Sequence, residues 1–176
     1  MKQIMKMITQ LALVVFMIVI LQQFNAYAYD NEPEGFRGIK WGTNIKDVKN
    51  MKLVEDAVDS KFYMRKDEKN KIGDAIVDSI VYVFYNNKFY GVIIKFNSIT
   101  NFTRLKETFF QQYGSGNKHN RFMEDYDWGL MGSDVYINLK YSEVSEKGQI
   151  HYSYRPIAEE KKSALKRKAK EAKDDL

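Results

Sequence analysis

Residues 78–96 constrain the fold more than any other part of this chain. Two runs rich in β-branched and aromatic residues, Ile80-Val81-Tyr82-Val83-Phe84-Tyr85 and Phe89-Tyr90-Gly91-Val92-Ile93-Ile94, flank Asn86-Asn87. Asparagine tolerates the left-handed conformation that a two-residue turn demands, so the segment predicts a tight β-hairpin. Folding about that pair sets Val83 opposite Tyr90, Phe84 opposite Phe89 and Tyr82 opposite Gly91. Both faces then come out apolar, with Val81, Val83, Tyr90, Val92, Ile94 and Phe96 on one and Ile80, Tyr82, Phe84, Phe89 and Ile93 on the other. A strand pair wetted on one face would alternate apolar with polar residues, so this pair belongs in the middle of a covered sheet. Tyr82 across from Gly91 fits a curved sheet, because a cross-strand ring can fill the glycine's gap.

The remaining elements assemble around that hairpin. Residues 101–113 are the clearest helix: Phe102, Leu105, Phe109 and Tyr113 recur at spacings of three, four and four, Asn101 offers a cap and Gly114 a stop. A shorter helix is expected from Thr43 or Asn44 to Met51, with Ile45, Val48 and Met51 on one face. Residues 61–66 read as a strand and 67–74 as a charged loop. After the long helix come three alternating strands, marked by Tyr126, Trp128 and Leu130, by Val135, Ile137, Leu139 and Tyr141, and by Ile150, Tyr152 and Tyr154. The order is therefore helix-βββ-helix-βββ. The expected fold is α+β: a two-layer sandwich, its antiparallel sheet of about six strands carrying two helices on one face, plus a C-terminal charged helix. Residues 36–156 form the single domain, 29–35 a disordered lead and 157–176 the charged tail.

Residues 1–28 have the pattern of a secretory signal peptide. Lys2 and Lys6 precede an unbroken apolar run of 11 residues over 11–21, and Ala26-Tyr27-Ala28 supplies the small residues of a cleavage site, so cleavage is expected after Ala28. A spanning helix needs about 20 apolar residues, more than this run provides. The chain has no cysteine, which excludes both a lipid anchor on a mature N-terminal Cys and disulfide staples. The expected location is a bacterial periplasm or the medium.

The formal charge of +5 is not spread as a nucleic-acid binder would spread it. Residues 157–176 hold seven Lys/Arg against five Asp/Glu, whereas residues 29–156 hold 19 basic and 18 acidic. A balanced body offers no basic face for a phosphate backbone, so no nucleic-acid partner is expected. The tail concentrates positives at Lys166, Arg167 and Lys168, with Lys170 and Lys173 nearby. Its apolar stripe is narrow, so it reads as a solvated helix that could contact anionic headgroups or an acidic partner.

Three pieces carry a family resemblance: F-R-G-I-K-W-G-T-N-I-K-D-V over 36–48, F-Y-N-N-K-F-Y over 84–90, and the Tyr113-Gly114 helix end. Together they resemble small exported bacterial proteins of uncharacterised function. A glycine-led short helix ahead of a β-hairpin is also similar to the small-protein-A type of outer-membrane assembly lipoprotein and to the β-lactamase-inhibitor-protein architecture. The chain departs from the former by lacking the lipidated Cys. The resemblance implies binding, and it brings no catalytic residues.

Few side chains suit catalysis. His119 lies in the polar loop Gly116-Asn117-Lys118-His119-Asn120. His151 and Ser153 share a strand face, the minimum for a Ser-His pair, yet same-face neighbours stand about 6.6 to 6.8 Å apart and no nucleophile-elbow pattern surrounds the serine. Two separated histidines do not make a zinc site, and no metal or cofactor is expected. Asp125 and Asp127 share another strand face, where they could serve a carboxylate-dependent hydrolase or carbohydrate-active protein, or hold calcium with help from loop carbonyls. In Asn101-Phe102-Thr103 a helix cap is the better reading than a glycan acceptor. The remaining candidate is an aromatic patch of Tyr82, Phe84 and Phe89, open to a peptide, glycan or subunit if the helices leave it bare. The reading favoured is an exported, non-enzymatic binding or assembly module whose partner is a protein or envelope component. The alternatives are the carboxylate hydrolase and a membrane-surface protein using the tail.

Overall fold

The computed structural model describes residues 31–118, 120–129 and 132–174, so the expected signal peptide, His119 and Leu130 lie outside the described residues. In chain order the elements are β1 (Gly35–Phe36), β2 (Ile39–Lys40), β3 (Met51–Ala57), β4 (Ser60–Arg65), β5 (Lys71–Ile72), β6 (Ala75–Ile76), β7 (Ser79–Tyr85), β8 (Lys88–Asn97), α1 (Ile99–Tyr113), β9 (Asn117–Lys118), β10 (Glu124–Trp128), β11 (Val135–Ser142), β12 (Lys147–Tyr154) and α2 (Arg155–Asp174). The fold is α+β, with an eight-stranded antiparallel sheet ordered β3-β4-β7-β8-β12-β11-β10-β9. The β1-β2 and β5-β6 pairs are separate two-stranded ribbons.

The β7-β8 hairpin turns on Asn86 and Asn87, both left-handed at φ 48° and 63°, and Phe84 pairs with Phe89. Beyond that pair the register differs from the sequence expectation. Val83 pairs with Gly91 and Tyr82 with Val92, so Tyr90 is an extra residue in a β-bulge. One extra residue inverts the side-chain parity of the rest of β8. Ile80, Tyr82, Phe84, Phe89, Val92, Ile94 and Phe96 therefore share one buried face, while Val81, Val83, Gly91 and Ile93 take the other. The glycine covered by a ring is Gly148, not Gly91: a Cβ on Gly148 would run into the ring of its cross-strand partner Phe96.

On the first face α1 lays Phe102, Leu105 and Phe109 against the sheet. Phe102 stacks on Tyr141 at 4.8 Å between centroids and Phe109 leans on Trp128 at 5.6 Å. Ser98 caps the helix, while Asn101 instead ties Ile76 N to the β8 end through its side chain. The expected helix over 43–51 is a single 3₁₀ turn, Ile45–Asp47, capped by the Asn44 side chain. It stops because Met51 begins β3, an edge strand that sequence periodicity does not mark. β3 and β9 extend the sheet at its two edges, which is why it exceeds the expected six strands.

The second face is covered only in part. α2 passes over β8 and β12, where Lys161 Nζ donates to Ser60 Oγ at 2.8 Å and lies 3.4 Å from Tyr90 OH. Ile157 and Val83 are buried but stand outside the main core cluster, as residues of this second, smaller layer do. The helices α1 and α2 therefore lie on opposite sides of the sheet. Residues 31–35, expected as a disordered lead, are tied down instead. Glu32 Oε1 accepts from Val135 N at 2.5 Å, Pro33 O from Trp41 Nε1 at 2.7 Å, and Asn31 Nδ2 donates to Gln112 O at 3.1 Å.

Candidate functional site

The aromatic trio is not a surface. Tyr82, Phe84 and Phe89 are all buried, because the β1-β2 ribbon and the segment after it lie over them. Trp41 stacks on Phe89 at 4.8 Å and Phe36 meets Tyr82 edge-on at 5.8 Å. The Tyr82 hydroxyl donates to Glu68 Oε2 at 2.5 Å, and Glu68 also pairs with Arg37. Arg37 further donates to Lys69 O at 2.8 Å and Lys71 O at 2.7 Å. Burial, then the bond to the Glu68 carboxylate, pushes the tyrosine's pKa well above its ordinary value. This cluster latches the 66–72 segment to the core.

The second sheet face carries a graded set of side chains. Cross-strand pairing aligns Ser79, Lys95, Gln149, Lys140 and Asp125 in one row and Val81, Ile93, His151, Asn138 and Asp127 in the next. Asp127 is only 4% exposed. Its Oδ1 accepts from Tyr136 OH at 2.5 Å and from Asn138 Nδ2 at 2.6 Å, and the same Nδ2 lies 2.7 Å from Asp125 Oδ1. Lys140 pairs with Asp125 at 3.1 Å. Burial first, then the bond to Asp127, raises the Tyr136 pKa. The two carboxylates thus converge, but on an amide nitrogen. Donated N–H groups occupy the space that a cation or an attacking water would need. Among the described residues no group of three or more His, Cys, Asp or Glu is placed to hold a metal ion.

His151 shares this face with Ser153, and no hydrogen bond joins the two. Burial lowers the His151 pKa, so its ring is neutral near pH 7. A base and a nucleophile that do not touch give no acyl-transfer geometry.

The tail residues Lys166, Arg167 and Lys168 are all exposed. Lys168 borders a depression with the β3-β4 turn, whereas Lys166 faces away from the sheet.

What the sequence did not single out is the end of the sheet where β7 and β10 begin and β8 and β11 finish. Ser98 N donates to Glu146 O at 2.9 Å and Asn97 Nδ2 to Asp78 Oδ1 at 2.8 Å, which locks three of the connecting loops side by side. At this end stand Ile76 (63% exposed), Ile99 (52%) and Val144 (99%), with Phe122 (80%) and Met123 (55%) on the separate connection between β9 and β10. At the same end a groove of about 590 Å³ runs onto the second sheet face, lined by Lys95, Lys140, Lys147 and Gln149 with Asp78 and Asp125 at its sides, and of the five apolar side chains Met123 lines it. That volume suits a small ligand or a docked side-chain cluster. The one signal in the sequence is Phe122-Met123 inside the otherwise polar stretch 117–125; the other three exposures depend on which loops the register brings together.

Comparison of the chain with protein-family models, with curated proteins and with solved structures gives no match. No helix among the described residues is long and apolar enough to cross a membrane.

Proposed function

We propose that this chain is an exported, non-enzymatic binding or assembly module that recognises a protein or envelope component through the loop end of its sheet. The observation that carries this reading is the placement of the exposed large apolar side chains. Of the nine among the described residues, five (Ile76, Ile99, Phe122, Met123 and Val144) stand at one end of the sheet, beside a groove that Met123 helps to line. Scattered single exposures are ordinary, but a cluster rimmed by charge is what interfaces present. Lys95, Lys140, Lys147, Asp78 and Asp125 provide that rim, with both signs available to fix a partner's orientation. The signal-peptide pattern of residues 1–28 and the resemblance to small exported bacterial proteins of uncharacterised function support the same reading.

The test compares the tagged protein with a Phe122→Ser, Val144→Ser variant, each shown to unfold at the same temperature, by affinity capture from the exported fraction. The wild type should recover a defined partner, and the variant should recover it at least about tenfold less, as loss of exposed aromatic and apolar anchors does at other interfaces. Equal recovery by both, or no reproducible partner for the wild type, overturns the proposal.

A further inference from the structure

The second half of α2 has a face that the fold does not use. Ile157, Lys161, Ala164 and Lys168, spaced four, three and four, form the stripe turned to the protein: Ile157 is buried, Lys161 bonds Ser60, and Lys168 borders the β3-β4 turn. Lys162, Lys166, Lys170 and Lys173, spaced four, four and three, lie on the opposite side of the helix, within an arc of about 80° at 100° per residue. All four are exposed, and among the described residues none has an ion-pair or hydrogen-bond partner. Glu159 is the one acid within that arc.

Local helix energetics do not explain the stripe. Lys173 in the last turn complements the helix dipole, but Lys162 and Lys166 are too far from the end to do so. Lys162 with Lys166, and Lys166 with Lys170, are like-charge pairs at i,i+4, which oppose one another. Solubility does not require the row either, since residues 29–156 are balanced in charge without it. The four ammonium groups line up over about 16 Å of helix on the outermost layer of the molecule, so a flat anionic surface can meet all four together. The face lacks aromatic residues to stack on bases and lacks arginine forks for bidentate pairing, both of which argue against a nucleic acid or a structured acidic protein. No apolar residue falls within the arc, so contact occurs by charge and not by insertion.

We propose that the outer face of α2 docks the protein on a bilayer surface rich in anionic phospholipid, through Lys162, Lys166, Lys170 and Lys173. This surface is separate from the loop end, so either can fail without the other.

The probe is co-sedimentation with vesicles of phosphatidylglycerol and phosphatidylcholine in equal parts, beside vesicles of phosphatidylcholine alone. The wild type is compared with a variant carrying Lys→Gln at 162, 166, 170 and 173, and with a charge-matched control carrying Lys→Gln at 46, 49, 52 and 66, all with the same N-terminus. The wild type and the control should bind the anionic vesicles, release as salt rises, and ignore the neutral ones. The α2 variant should bind about two to three orders of magnitude more weakly. Absence of wild-type binding, equal binding by the α2 variant, or an equal loss in the control overturns the proposal; the last of these would assign the attraction to net charge alone.

Discussion

At the scale of single residues, Asn138 decides what the carboxylates on the second sheet face can do. One side-chain nitrogen serves both Asp125 and Asp127, and Tyr136 adds a second donor to Asp127. Two carboxylates on one face would repel each other; the amide between them converts that repulsion into two charge-assisted bonds. Asn138→Ala removes the shared donor and leaves both acids facing each other in a half-buried site. The expected cost is about 2 to 3 kcal/mol, against about 1 kcal/mol for Tyr136→Phe, which leaves Asp127 its amide donor. Urea unfolding at pH 7 checks the order: a smaller loss for Asn138→Ala than for Tyr136→Phe would show that the network is not built on the amide. The pairing of Asp125 with Asp127 is legible in the sequence as strand alternation. Asn138 is not, because its place between them depends on the β10-β11 register, which no local pattern specifies.

At the scale of elements, α2 is two helices in function. Its first turns are part of the fold: Ile157 is buried, Lys161 reaches Ser60 and Tyr90, and Lys88 pairs with Glu160. From Lys166 onward the described side chains are exposed. Ile157→Ala should cost about 2 kcal/mol or more through lost burial and the cavity left behind. A stop codon in place of Lys166 should change stability by less than about 0.5 kcal/mol, since it removes no buried contact. Thermal or urea midpoints of the two variants measure the contrast, and comparable losses would mean that the distal half packs as well. The sequence conveys only part of this. Helix α1 and the β7-β8 hairpin are readable because their apolar residues repeat at regular spacing and their turns have the right chemistry. The bulge at Tyr90 is not readable, since its partners Ser60 and Lys161 lie 30 and 71 residues away. Nor is β3, where residues 52–56 are exposed on both faces and show no alternation.

At the scale of the whole molecule, the sheet separates a thick aromatic layer under α1 from a thinner layer that α2 covers in part, and each layer holds an ionisable group whose pKa burial and neighbours shift. His151 stands in the thinner layer between cross-strand neighbours Asn138 and Ile93, neither of them charged. Burial lowers its pKa in the folded protein below the ordinary value of about 6.5, so between the two values the unfolded chain binds the proton and the native protein does not. Stability therefore falls as pH drops through about 6.5, and this loss is complete once the pH is below the folded pKa. Glu124 adds a second loss at lower pH: burial opposes its charge, but bonds from Lys118 and Tyr126 and the nearby Lys106 hold its pKa below 4.5. That stabilisation is present above about 4.5 and disappears as the pH falls through the folded value. His151→Gln keeps a neutral polar side chain and removes the first process alone. Urea midpoints measured from pH 7.5 to pH 3.5 should show the wild type losing stability in the region just below pH 6.5 and again below 4.5, whereas the variant should be flat in the first interval and parallel to the wild type in the second. Parallel curves throughout would mean that His151 is not the buried neutral group of this layer, and would reassign the acid sensitivity to the carboxylates.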